Sequence, residues 1–183
     1  MSINHYSDAQ LLELFKNQTT SHDAFKHIVE KYQIKIYHHI RRLVIDHDDA
    51  DDVVQNTFIK AWRGLPNFRE DAQLFTWLYR IATNEALTFI KQKKSKYAIP
   101  FDEITADYTP ALTQQGLTPG NIEMRLQQAI MQLPAQQRAV FNMRYYDELK
   151  YEDMATITGL TAGALKASYH HAVKKIEKFI TNR

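Results

Sequence analysis

Five aspartates crowd one short stretch, Asp46, Asp48, Asp49, Asp51 and Asp52, with His47 among them. Carboxylate oxygens at this density could hold Mg²⁺ or Ca²⁺. The spacing fits a Ca²⁺ loop poorly, because such a loop alternates its oxygens and then needs a turn glycine and a distant Glu, whereas here Ala50 interrupts and an apolar helical pattern follows at once. A second reading is capping, with Asp48 as the N-cap, Asp51 in the reciprocal position, and the acids complementing the helix dipole. Asp51, Asp52 and Gln55 lie further along the exposed side of that helix, and an acidic surface for a basic partner is a third reading. The cations gather elsewhere. Lys91, Lys93, Lys94 and Lys96 form one basic run, and between Ala162 and Arg183 five cations stand against a single anion, with His170 and His171 in addition. The overall charge of only +2 hides this separation, which would let basic faces meet phosphate while an acidic face meets something else.

Other chemistries find little support. His38 and His39, like His170 and His171, are neighbours in sequence and so point to different sides of a helix, which suits surface or DNA-facing roles better than chelation. Cysteine is absent, removing disulfides, thiolate metal sites and cysteine nucleophiles together. No Ser/His/Asp order, phosphate-binding glycine loop or facing pair of acids stands out, so neither a catalytic residue nor a cofactor or metal is expected. Among the aromatics, Phe75 and Trp77 read as core, while Phe68 beside Arg69 in a loop could stack on an unpaired base.

The elements that must position these residues are helical. Leu11, Leu12 and Phe15 recur at helical spacing, as do Phe25, Ile28, Val29, Tyr32, Ile36, Tyr37 and Ile40. Val54, Phe58 and Trp62 follow at i, i+4, i+8 on a helix that should stop near Gly64 and Pro66, and Leu74 to Ile90 make another that runs into the lysines. Pro100, Pro110, Gly116, Pro119 and Gly120 punctuate a polar stretch that reads as a linker. Beyond it, one helix ends at Pro134 and a second carries Ala139, Val140, Met143 and Tyr146. Ala155, Gly159 and Leu165 then have the spacing of a helix-turn-helix: a small residue where the helices cross, a glycine for the left-handed turn position and an apolar plug. The outer face of its second helix shows Lys166, Ser168, His170, His171, Lys174, Lys175 and Lys178, which offers donors to base edges and cations to phosphates. The fold class is therefore all-α: two small helical domains joined by a flexible linker, divided at 1–95, 96–120 and 121–183, the second with a helix-turn-helix. With 44% hydrophobic and 11% aromatic residues there is material for a core, but no run approaches a membrane span and the N-terminus lacks a signal-peptide pattern, so a cytoplasmic protein is expected.

The stretch from Asp49 to Trp62 (DADDVVQNTFIKAW), followed by Phe68-Arg69 and by Thr76 to Asn84 (TWLYRIATN), resembles the second domain of sigma-70-type RNA polymerase initiation factors. Leu133 to Phe141 (LPAQQRAVF) and the helix-turn-helix after it resemble the fourth domain, as in the small extracytoplasmic-function subgroup that keeps only these two domains. The resemblance implies a factor that takes core RNA polymerase to promoters and assists opening of the duplex. It assigns Asp51, Asp52 and Gln55, with Phe58 supporting the helix from below, to the clamp helices of the β′ subunit. It assigns Phe68, Arg69 and Asn84, with Lys91, Lys93 and Lys94 on the backbone, to a single-stranded minus-10 element with a flipped base. It assigns the fourth domain to the β flap and the minus-35 duplex, with Thr161, Lys166, Ser168, His171 and Lys174 as candidates. An anti-sigma factor is an implied partner, and a polar linker implies domains that are mobile without polymerase or inhibitor.

This chain departs from its relatives on the recognition helix. Ala164-Leu-Lys-Ala-Ser-Tyr169 stands where Thr-Val-Lys-Ser-Arg-Leu is common, and His171 replaces a frequent Arg, so bidentate reading of guanine is lost at those positions. The rival reading is a free-standing helix-turn-helix regulator that needs no polymerase.

Overall fold

A computed structural model describes residues 6–97 and 122–181. The first half holds α1 (Asp8–Lys16), α2 (Ser21–Val44), α3 (His47–Gly64), a 3₁₀ turn (Leu65–Asn67) and α4 (Leu74–Tyr97), and the second holds α5 (Ile122–Met131), α6 (Ala135–Tyr145), α7 (Tyr151–Thr158) and α8 (Ala162–Thr181). The all-α expectation is met, with four helices in each half and no strand among the described residues. Most of the expected linker, together with Asn121, lies outside the described residues, while Lys96 and Tyr97 continue α4.

Helix α2 is the spine. Ala24, Ile28, Tyr32, Ile36, Ile40 and Leu43 are buried along one stripe at spacings of three and four, against which α1, α3 and α4 pack. Ser7 opens α1 with a reciprocal cap: its Oγ accepts from the Gln10 N–H and the Gln10 side chain accepts from the Ser7 N–H. Ile45 ends α2 at a φ of 74°, a costly conformation for a β-branched residue that persists here because the side chain is buried and its N–H reaches the Arg41 carbonyl. Gly64 closes α3 for a different reason. A Cβ there would sit 3.1 Å from Trp77 Cζ2, so the missing side chain is what lets the indole of α4 lie against the end of α3.

Two cores divide the second half. Ala129, Ile130, Leu133, Phe141, Ala172 and Ile176 hold α5, α6 and α8 together. The opposite face of the same unit, with Val140, Met143, Met154, Ile157 and Leu165, belongs to one continuous core with Leu43, Leu78, Ala82 and Ala86 of the first half. The two units thus meet over a shared apolar surface, with α7 packed on α4 and α6 on α2. This close association differs from the freely parting domains that a polar linker implies.

Polar groups seal the junction. His39 is fully buried, with Nδ1 3.0 Å from Asp147 Oδ2 and Nε2 2.9 Å from Thr83 Oγ1. This overturns the expectation of a surface or DNA-facing role for both members of that pair: His38 is exposed, whereas His39 meets a carboxylate 108 residues away in sequence. Tyr79 packs on the His39 ring, and burial pushes its hydroxyl above the ordinary tyrosine range. Arg42 donates to Asp147 Oδ1 at 2.7 Å and lies over the Tyr146 ring.

The four carbonyls of the last turn of α2, three of them left without an ordinary helical partner, all find donors. Ile45 N–H serves Arg41 and Asp46 N–H serves Val44, while Asn142 Nδ2 serves Arg42 and Arg138 Nη2 serves Leu43. Two of the four donors therefore come from the other half of the chain.

Candidate nucleic-acid and partner surfaces

The acidic stretch resolves into separate jobs. Asp46, not Asp48, is the N-cap of α3: its side chain accepts from the Asp49 N–H at 3.1 Å, and the helix begins at His47. That hydrogen bond holds the Asp46 carboxyl below its ordinary value. The cap lies two residues earlier than the sequence suggests because Ile45 already breaks α2, leaving Asp46 extended and free to turn onto the next helix. Asp49 is taken by the Lys93 ammonium. Asp51, Asp52 and Gln55 stay exposed along one edge, Asp51 with only His47 nearby at 3.7 Å. No group of three His, Cys, Asp or Glu side chains is placed to hold a metal ion among the described residues.

Gln55 borders something the sequence reading missed. Phe25 and Val29 of α2 and Val54, Phe58, Ile59 and Trp62 of α3 line an open apolar groove of about 690 Å³. Phe58 is buried at its floor against Phe25, and Ile59 is 42% exposed at its lip. The signal was present: Gln55, Phe58, Ile59 and Trp62 follow the i, i+3, i+4, i+7 rule, a stripe wider than the core alone requires.

The loop before α4 places Phe68 half-buried with its ring 5.1 Å from Trp77, while Arg69 stands in solvent. Phe75 and Trp77 are half-buried, and it is Tyr79 that the core fully covers. On α4 itself Asn84 and Lys91 are exposed, and with Arg80 and Thr88, also exposed, they form a polar stripe at i, i+4, i+8, i+11. Arg80 and Thr88 were passed over in the sequence because neither belongs to a charge run. Lys93 is on the other side, engaged by Asp49, and the Lys94 side chain lies outside the described residues.

The helix-turn-helix is built as its spacing suggests. Gly159 adopts the left-handed conformation at φ 74°, with its N–H on the Ala155 carbonyl, and Leu165 is fully buried in the joint. Thr161 caps α8, its hydroxyl accepting from the Ala164 N–H at 3.2 Å. Lys166 is exposed, its ammonium 5.6 Å from the centre of the Tyr151 ring on α7. His170, His171, Lys174 and Lys178 are exposed, and Ser168 is half-buried. With Gly163, Ala164 and Ala167 also exposed, the first two turns present mainly small residues and backbone.

An all-helical pair of units, one with an acidic edge beside an apolar groove and a polar helix stripe, the other a basic helix-turn-helix, defines a DNA-associated factor with a protein partner. Comparison with known proteins narrows the class. Residues 28–96 match the profile described as Sigma-70 region 2, and residues 123–176 the one described as Sigma-70, region 4. The RNA polymerase sigma-H factor of Pseudomonas aeruginosa is 34% identical over 93% of this chain and 92% of its own length. The ECF RNA polymerase sigma factor SigW of Bacillus subtilis is 30% identical over 85% of this chain and 88% of its own. The sigma factor RpoE of Bartonella quintana, solved in complex with the anti-sigma factor NepR, has the same fold, with a TM-score of 0.65 at 22% identity over 87% of this chain and 98% of that one. CnrH, solved with the cytosolic domain of CnrY, superposes with a TM-score of 0.61 at 20% identity over 93% and 94%. This chain belongs to the sigma-70 family of transcription initiation factors, in its ECF group.

Proposed function

We propose that this chain binds bacterial core RNA polymerase, directs it to promoters through a minus-10 and a minus-35 element, and assists opening of the duplex. The units at 1–95 and 121–183 carry the two recognition tasks, with 96–120 between them. The observation that carries this reading is the edge of α3: Asp51, Asp52 and Gln55 keep their polar ends in solvent beside the apolar groove over Phe58, in a chain otherwise well supplied with cations to neutralise them. Exposed carboxylates around an apolar floor fit a basic, amphipathic helical partner, and the clamp helices of β′ are that partner. Arg69 and the stripe Arg80, Asn84, Thr88 and Lys91 track the separated minus-10 strand, Phe68 and Trp77 offering a stacking platform next to it. Lys166, His171 and Lys174 hold the minus-35 duplex by its backbone, with Ser168 beside them, while Thr161 positions the helix through its cap. The second unit also meets the β flap. An anti-sigma factor is a further partner, as for the Bartonella quintana RpoE whose complex is named above.

The protein works in the cytoplasm and carries no catalytic residue of its own. Among the described residues no helix is long and apolar enough to cross a membrane.

Competition against a housekeeping sigma factor for core polymerase tests the reading. Wild type should displace it, and the Asp51→Lys, Asp52→Lys double variant should fail while keeping its affinity for promoter DNA. Absence of binding by the wild type would favour the free-standing regulator instead.

A further inference from the structure

We propose that His47, held in place by Tyr37, is a built-in competitor for Asp51, so that its protonation sets how strongly the acidic edge of α3 engages polymerase. The contact between the two side chains stands on geometry alone; its effect on binding rests on the function proposed above.

His47 is the first residue of α3 and lies against α2. The Tyr37 hydroxyl is 2.7 Å from its Nδ1, and the two rings meet edge to face with centres 6.0 Å apart. That contact leaves the opposite ring nitrogen, Nε2, turned along the helix towards Asp51 Oδ2 at 3.7 Å. With a neutral imidazole this distance is too long for a hydrogen bond, and Asp51 keeps its whole charge for a partner. With an imidazolium it is an ion pair, because both ring nitrogens are then donors: Nδ1 gives its proton to the Tyr37 oxygen and Nε2 faces the carboxylate. Imidazole is the side chain that ordinarily makes this change between about pH 5 and 8.

Other charges surround the ring. On its own helix His47 has Asp48 next in the chain and the Asp46 cap before it. Helix α2 brings the Tyr37 phenol, with His38 against that phenol and Arg41 within electrostatic reach of Asp46, while α4 brings Lys93, which Asp49 engages. Asp51 is the carboxylate within ion-pair distance of the imidazole.

Protonation acts on the polymerase contact twice. It draws the Asp51 carboxylate onto the imidazolium, and it adds a cation to an edge whose partner is itself basic, where like charges are unfavourable. Asp52 and Gln55 remain further along the same edge, so binding weakens rather than vanishes. Both His47 and Asp51 are more than half exposed, which limits the effect to a few-fold.

Nuclear magnetic resonance of the full-length chain reads the pair directly. The titration midpoint of the His47 ring should fall by about 0.3–0.5 pH units in Asp51→Asn, which removes the charge and keeps the shape. Core-polymerase affinity measured from about pH 8 to about pH 5.5 reads the competition across the imidazole range. The ratio of wild-type to His47→Asn affinity cancels the titration of polymerase itself, and it should fall about three- to fivefold on acidification. Tyr37→Phe keeps the ring but removes the hydroxyl that fixes His47, and its ratio to His47→Asn should fall less steeply. An unmoved midpoint in Asp51→Asn would overturn the pair, and a wild-type ratio that stays level with pH would overturn the competition. If the wild type bound no polymerase at any pH, the function proposed above would fall and the competition with it, whereas the midpoint shift would still establish the pair.

Discussion

Asp51 and Asp147 are the same residue type put to opposite uses. Asp51 sits on a helix edge in solvent with one loose neighbour, while Asp147 is enclosed between His39 and Arg42. Nothing in the folded chain depends on the first, so its charge is available to a partner. The second is consumed internally, and its loss is felt by the chain itself. The contrast teaches that an acid's function is set by where its counter-charge comes from, and this can be attacked from both sides.

The largest effect is expected at the exposed end. Reversing Asp51 and Asp52 should reduce polymerase affinity by orders of magnitude yet move unfolding stability by no more than about 0.5 kcal/mol, the usual range for surface substitutions, as read by urea denaturation beside the binding assay. Loss of binding accompanied by a loss of stability would blur the distinction. Leu165→Ala probes the enclosed side without touching charge. Leu165 is fully buried and belongs to the core shared by both halves, so about 2–5 kcal/mol should be lost in the same denaturation. Arg80→Ala and Lys91→Ala fall in between: each should lower the slope of log affinity against log salt for single-stranded minus-10 DNA by about 0.7, with stability unchanged. Lys93→Ala should change that slope less, since its ammonium already answers Asp49.

The smallest effect belongs to Asp46. Asp46→Ala should cost about 1 kcal/mol by removing the cap of α3. Because its hydrogen bond from Asp49 holds the Asp46 carboxyl below the ordinary value, the contribution is present at neutral pH and lost as the pH falls through the folded-state value. The stability difference between wild type and variant should thus shrink on acidification, in denaturant titrations repeated across the acidic range.

These cases also mark how far the sequence could be read. The helices, the end of α3 near Gly64, the glycine turn and the Leu165 plug follow from local periodicity and backbone preference, and all are where spacing puts them. The exposed acids of α3 were legible for the same reason. His39 was not, because its helical neighbours do not reveal that Asp147 and Thr83 close over it. Asp46 and Asp48 are equally able caps, and only the strained turn at Ile45 decides between them. Lys93 looked like a free cation in a basic run, but an aspartate 44 residues earlier comes to meet it. For His39 and Lys93 the deciding partner is distant in sequence, and for His39 the carboxylate belongs to the other half; for the cap it is the backbone of the preceding residue.

The capping of α2 from across the chain also has a consequence in time. Arg138 lies 95 residues beyond the carbonyl it serves, so at a synthesis rate of about 5–20 residues per second the end of α2 emerges roughly 5–20 s before its donor exists. During that interval the nascent first half presents an unfinished helix end, with His39 and the apolar face of α4 still uncovered, to whatever surrounds the ribosome.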